Sequence, residues 1–218
     1  MKIINLSEQN SLLNQFIREI RDVTIQNDRM HFRENIERIG EVMAMEISKT
    51  LTYQATDVQT PFATTTINTL QDKIVLGTIF RAGIPLYQGF LNMFDHAESA
   101  FVSAYRSYKN NANTEIEIHC EYMASPSLDG KTLILVDPML ATGGSMEASY
   151  QALLKNGKPA RTELVCTIAT PMAIAALQRV MPNNVTLWCG AIDPVLNEHK
   201  YIIPGLGDAG DLCFGEKL

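Results

Sequence analysis

The chain has 218 residues, of which 46% are hydrophobic and 19% charged, the composition of a folded domain and not of a disordered segment. Acidic residues outnumber basic ones 24 to 18, a net charge of -6, which speaks against a broad nucleic-acid face but leaves room for a pocket where a few arginines hold a small anion. The first ten residues carry one lysine and no apolar stretch of signal-peptide length. No run approaches the roughly 20 apolar residues of a membrane span, so no membrane partner is expected.

Leu12, Leu13, Phe16, Ile17, Ile20 and Val23 recur at helical spacing, as do Phe32, Ile36, Ile39, Val42, Met43 and Ile47. Two helices therefore open the chain, with Asn27 or Asp28 capping the second. After Pro61 the pattern changes. Residues 74–80 read as a buried strand, 84–94 as a helix and 100–105 as a strand. Residues 114–123 alternate, with Ile116, Ile118, Cys120 and Tyr122 opposite Glu115, Glu117, His119 and Glu121, a half-exposed strand. Next come a strand at 132–136, a helix at 144–155 closed by Gly157, a strand at 162–169, a helix at 172–181 and a strand at 185–192. The glycine-rich tail, 197–218, reads as a structured loop.

Strands alternating with helices predict an α/β fold, a mostly parallel sheet flanked by crossover helices. We expect one domain over residues 1–218, with a helical part at 1–60 and a hood-like tail at 195–218. Arg81, Arg106, Asp137 and Asp193 each follow the end of a predicted strand. Ligands bind at the carboxyl edge of open α/β sheets, so two arginines and two aspartates are expected to converge there.

Two motif look-alikes fail on context. Gly205-Leu206-Gly207-Asp208-Ala209-Gly210 matches G-x-G-x-x-G, but too little chain follows for a βαβ unit. Gly130-Lys131-Thr132 resembles the end of a P-loop, yet Ser125 stands at the first glycine position and a strand follows, not a helix. Of the four cysteines, Cys120, Cys166 and Cys189 sit in strand-like runs and Cys213 in the tail. None forms C-x-x-C, so they read as small hydrophobes, and a reduced, cytoplasmic setting is expected. His31, His96, His119 and His199 have no metal-ligand spacing, and no dedicated protein metal site is expected.

Chemistry concentrates in Asp137-Pro138-Met139-Leu140-Ala141-Thr142-Gly143-Gly144-Ser145, a strand end, loop and helix start. A helix N-terminus offers N–H groups and a positive dipole end to an anion. Gly143 and Gly144 let backbone approach a phosphate, Thr142 and Ser145 add hydroxyl donors, and Asp137 suits two vicinal ribose hydroxyls. A plain turn and helix cap would share this spacing.

That motif closely resembles the phosphoribosyl-pyrophosphate (PRPP) motif of uracil phosphoribosyltransferases, within the type I phosphoribosyltransferase family. Asn197-Glu198-His199, with the stretch from Tyr201 through Pro204 and Gly205 to Asp211, is similar to the family's uracil-binding tail. Arg81-Ala82-Gly83, Tyr105-Arg106 and the run from Leu51 to Thr56 also fit, so the resemblance covers nearly the full length. It implies conversion of uracil and PRPP to UMP and diphosphate, with Mg2+ bound mainly through PRPP. It further implies that Arg81, Arg106, residues 137–145 and Asp208 bind PRPP, and that Ile202, Gly207, Asp208 and Ala209 surround uracil. Asp137, Arg106 and Asp208 are the expected catalytic set. Asp211 is open between a metal-associated role and a turn cap. The resemblance also implies a homo-oligomer, dimer or tetramer, and leaves GTP open as an effector.

Residues 107–113, polar and following Arg106, are expected to form a flap over PRPP that excludes water. Three departures stand out. Phe80 replaces a usual leucine, Ile84-Pro85-Leu86-Tyr87-Gln88 differs from a glycine- and methionine-rich run, and Lys200 replaces a common glycine. An RNA-binding regulator on the same fold is disfavoured by the acidic balance and the tail. A phosphoribosyltransferase for another base is disfavoured by the tail alone.

Overall fold

A computed structural model of the chain describes residues 1–108 and 116–217, with the backbone alone for residues 104–108 and 116–120. In chain order the elements are β1 (Lys2–Asn5), α1 (Leu12–Arg21), α2 (Arg29–Ser48), β2 (Tyr53–Gln59), β3 (Thr64–Leu70), β4 (Ile74–Phe80), α3 (Gly83–Met93), β5 (Glu98–Tyr108) and β6 (Ile116–Ala124). There follow β7 (Thr132–Val136), β8 (Met139–Leu140), α4 (Gly144–Leu153), β9 (Arg161–Ala169), α5 (Pro171–Val180), β10 (Val185–Ile192), β11 (Val195–Leu196), β12 (Ile202–Ile203) and α6 (Ala209–Phe214).

The opening helices form for the expected reasons. Ser11 caps α1 by accepting from Leu13 N, and Asp28 Oδ1 caps α2 by accepting from Met30 N and His31 N. Leu13, Ile17 and Ile20 of α1 and Phe32, Ile36, Ile39, Met43 and Ile47 of α2 are buried. Val23 falls beyond α1 and is exposed.

The main sheet runs β1-β10-β9-β7-β4-β5-β6, with β8 paired to β9. Its pairs are parallel except β5 with β6, the mostly parallel sheet that the alternation of strands and helices predicts. Alternate residues of β7 enter different cores. Ile134 and Val136 join the cluster under α1, α2 and α3, whereas Leu133 and Leu135 join the one under α4 and α5. Both faces of the sheet are covered, which is why its central strands read as unbroken apolar runs.

Several features differ from the sequence expectation. β1 adds a short edge strand beside β10. Residues 53–70 form a separate antiparallel hairpin, β2 with β3. The tail is not only loop: β11 pairs with β12, and α6 follows. β5 continues to Tyr108, so Arg106 lies inside the strand and not past its end. The last β4 partner in β5 is Ser103, and the remainder pairs only with β6. The side chain of Arg106, and the expected flap apart from the backbone of Ser107 and Tyr108, lie outside the described residues. No described helix is long and apolar enough to cross a membrane.

Candidate active site at the carboxyl edge of the sheet

β4 and β7 are neighbours, and the chain leaves them in opposite directions. From β4 it passes through α3 to β5 on one side, and from β7 through α4 to β9 on the other. This is a topological switch point, where open α/β sheets leave a crevice. Arg81 follows β4 and Asp137 follows β7, so the two face that crevice from adjacent strands.

The loop after β7 is fixed to the end of β9. Asp137 N donates to Val165 O at 3.0 Å, and Thr167 N and Ile168 N both donate to Pro138 O at 3.0 Å. Thr170 closes it, its N donating to Leu140 O at 3.1 Å and its Oγ1 to Ala141 O at 2.7 Å. Gly143 then turns the chain at φ 86° and precedes α4 with no side-chain cap. A Cβ there would sit 3.2 Å from Ala173 O in a left-handed conformation, so glycine is required. The uncapped helix start keeps its N–H groups available to an anion.

The tail folds over this loop as a hood. Asn197 Oδ1 accepts from Tyr201 N at 2.9 Å across the β11–β12 turn, and Lys200 in that turn has φ 64°. The Ile203–Pro204 peptide is cis, as is Phe80–Arg81. Asp208 caps α6, its Oδ1 accepting from Asp211 N at 3.1 Å. Arg33 of α2 donates to Cys213 O at 2.7 Å, and Arg81 donates to Asp211 Oδ1 at 2.9 Å and to Gly215 O at 3.3 Å. Lys217 Nζ lies 3.7 Å from Asp208 Oδ2.

Loop, strand end and hood enclose a cavity of about 580 Å³. Of the expected site residues, Arg81, Asp137, Met139, Ala141, Ser145, Ile202, Gly207, Asp208 and Ala209 line it. Pro138, Leu140, Thr142, Gly143 and Gly144 do not. Leu140 is 2% exposed and packs into the core under α4 and α5, so its side chain contributes to the fold of the loop. Asp193 is a correction. Instead of facing the crevice it is buried, with Arg21 Nη1 and Nη2 at 2.7 and 2.9 Å from its two oxygens.

Sequence reasoning had no role for Ile79, Ser103 and Lys217, which also line the cavity; Phe80 and Lys200 entered only as departures from the family pattern, and Ala82, Tyr201 and Gly210 only as members of matching stretches. Phe80 and Ser103 were findable as strand residues beside Arg81 and on its neighbour β5. Lys217, in the terminal tail, carried no signal. A larger cavity, about 990 Å³, opens at the opposite edge of the sheet between the base of the β2–β3 hairpin, α2 and α3. Arg81, Asp137 and the hood do not reach it.

Burial pushes the Cys213 thiol up to about 12 and Cys166 well above its ordinary range, so both stay neutral, in keeping with a packing role. Among the described residues no three His, Cys, Asp or Glu side chains gather as a metal site. The carboxylates Asp137 and Asp208 at the cavity are hard oxygen donors that fit a magnesium ion held chiefly by substrate phosphates.

Comparison with known proteins agrees with this geometry. Residues 7–216 match the family described as uracil phosphoribosyltransferase. The chain is 56% identical to a uracil phosphoribosyltransferase of Porphyromonas gingivalis over 218 residues, covering 100% of both. It is 38% identical to that of Streptococcus agalactiae over 187 residues, 85% of this chain and 87% of the relative. Among solved structures, the AQ2163 protein of Aquifex aeolicus superposes with a TM-score of 0.86 at 29% identity, covering 98% of each chain. A hypoxanthine phosphoribosyltransferase of Staphylococcus aureus, with a TM-score of 0.50 at 15% identity over 86% of this chain and 84% of its own, shares the fold. The chain belongs to the uracil phosphoribosyltransferase family.

Proposed function

We propose that this chain transfers the 5-phosphoribosyl group of PRPP to N1 of uracil in the cavity between the β7–α4 loop and the hood. The observation that carries this reading is the meeting of Asp137 and Ser145 with Ile202, Gly207 and Ala209 around one space. The C1–O bond to diphosphate breaks, the C1–N1 bond forms, the N1 proton is released and diphosphate leaves. Asp137 accepts from the ribose hydroxyls, and the loop through Ser145 receives the 5-phosphate. Arg81 and Arg106 hold the diphosphate, where forked donors strengthen as charge develops on the leaving group. Asp208 borders both substrates. Backbone of Gly207 to Ala209 reads the base edge, and an exocyclic amine in place of a carbonyl leaves those groups mismatched. Magnesium, carried by the diphosphate, supplies charge neutralisation when bound.

Assembly with further copies of the chain finds support in the β2–β3 hairpin. Its strands are almost wholly exposed and Phe62 at its tip is 98% exposed, whereas an isolated two-stranded hairpin is marginal in water. A cytoplasmic setting fits the free, buried cysteines Cys166, Cys189 and Cys213. The test of the reaction is incubation with PRPP, Mg2+ and uracil, cytosine, hypoxanthine, guanine or adenine in turn. UMP in the uracil arm and no nucleoside monophosphate in the others are expected; absence of UMP overturns the reading.

A further inference from the structure

The base-facing part of the hood is anchored by residues that lie outside the cavity. Asp193, one residue past β10, and Arg21, the last residue of α1, form a two-pronged ion pair with side chains 7% and 22% exposed. The pair also grips the turn after Pro204. Gly205 N donates to Asp193 Oδ2 at 2.8 Å, and Arg21 Nη1 donates to Gly205 O at 3.1 Å. One residue on, Gln26 Nε2 donates to Leu206 O at 3.1 Å while also holding Ile20 O at 2.8 Å. The turn is tight: Gly205 has φ 57°, and a Cβ on it would strike the Ile202 carbonyl. Ile202 and Gly207, on either side, line the cavity, whereas Arg21, Gln26 and Asp193 do not.

We infer that Arg21 and Asp193 are positioning residues for uracil, fixing the turn so that the backbone of residues 207–209 meets the base in register. The inference rests on the reading above that these residues receive uracil. A flat base read by peptide edges tolerates little error, because a displaced amide leaves polar groups unpaired in a dry site. The loop that holds the phosphoribosyl group is anchored separately, to Val165, Thr167, Ile168 and Thr170 of the β9 end. Loosening the Arg21–Asp193 pair therefore acts chiefly on uracil and little on PRPP.

Initial rates of UMP formation by the full chain, with uracil and PRPP varied in turn, test this. Asp193→Asn keeps an acceptor for Gly205 N, and Arg21→Lys keeps the charge but not the fork. Each is expected to raise KM for uracil by roughly tenfold or more, with KM for PRPP within about twofold. The double variant is expected to add little to the worse single one, since both break one unit. Arg21→Ala is the severe form, and should it not fold, the two conservative variants decide. Parent-like KM for uracil in folded Asp193→Asn and Arg21→Lys overturns the inference, as does an equal rise in both KM values. No UMP from the parent chain would instead remove the proposed function itself.

Discussion

Arg81 donates to Asp211 Oδ1 at 2.9 Å, so the guanidinium proposed to hold diphosphate is also engaged by the C-terminal helix. The two side chains are 40% and 29% exposed, and a pair so hydrated contributes no more than about 1 kcal/mol to stability. Arg81→Ala is therefore expected to melt near the parent while KM for PRPP rises about 10- to 100-fold, the worth of a charged hydrogen bond to phosphate. Asp211→Asn removes the competitor and is expected to lower that KM by about two- to fivefold. A rise instead would mean that the Asp211 carboxylate itself serves the substrate or its metal.

A buried pairing at Glu163 contributes to the pH dependence of stability. Trp188 donates its indole N–H to Glu163 Oε2 at 2.6 Å, Arg161 Nε pairs with the other oxygen, and Glu163 is wholly buried. Burial raises the Glu163 pKa above its ordinary 4.5, with Trp188 and Arg161 pulling it back. The native state then keeps this proton to higher pH than the unfolded state, so the group's contribution to stability falls as pH rises upward from about 4.5. Glu163→Gln retains an acceptor for the indole and cannot ionise. Arg161 stays partly exposed and bonded to Thr50. The variant is expected to match or exceed the parent by up to about 2 kcal/mol at pH 7.5, the gap closing toward pH 5. Melting curves at both values decide, and an equal loss at both would show that the bond to Arg161 outweighs desolvation.

Much of this framework was legible in sequence, for a physical reason. Residues 74–80, 132–136 and 185–192 are covered on both faces, so apolar runs bounded by turn residues mark their limits. The β2–β3 hairpin was not, because neither of its faces is buried and no apolar alternation betrays it. Arg106 was placed past a strand end because the polar outer half of β5 leaves the parallel sheet and pairs only with β6. The cavity-lining part of the loop at 137–145 was legible through its strand-glycine-helix grammar. The role of Asp193 was not, since its partner Arg21 lies 172 residues away in sequence.

Lys200 offers a case where stability and substrate binding move in opposite directions. Its φ of 64° is left-handed, which costs a side-chain-bearing residue about 1–2 kcal/mol. It also lines the cavity where an anionic substrate is proposed to bind. Lys200→Gly relieves the backbone and returns some entropy to the unfolded chain, for an expected net gain of up to about 1 kcal/mol. The lost cation is expected to raise KM for PRPP by about two- to fivefold at low salt, with the difference shrinking as salt screens it. Unchanged KM across the salt series would remove Lys200 from the substrate's surroundings.

The exposed hairpin sets the last expectation. Phe62 is 98% exposed, Ile67 52% and Tyr53 45%, an apolar surface on a two-stranded sheet that a monomer leaves wet. At its base, Tyr53 and Leu70 border the larger cavity together with Met45 and Met93. Contact with another copy of the chain would dry both surfaces and supply the packing such a hairpin needs. Light scattering of the parent is therefore expected to give a multiple of 24.3 kDa. Phe62→Asp combined with Ile67→Thr is expected to shift the population toward the single chain without loss of helix signal, because neither side chain belongs to the buried cores. A parent that runs only as a 24.3 kDa species would contradict assembly. An oligomer unaffected by the two substitutions would keep assembly but place its contact elsewhere.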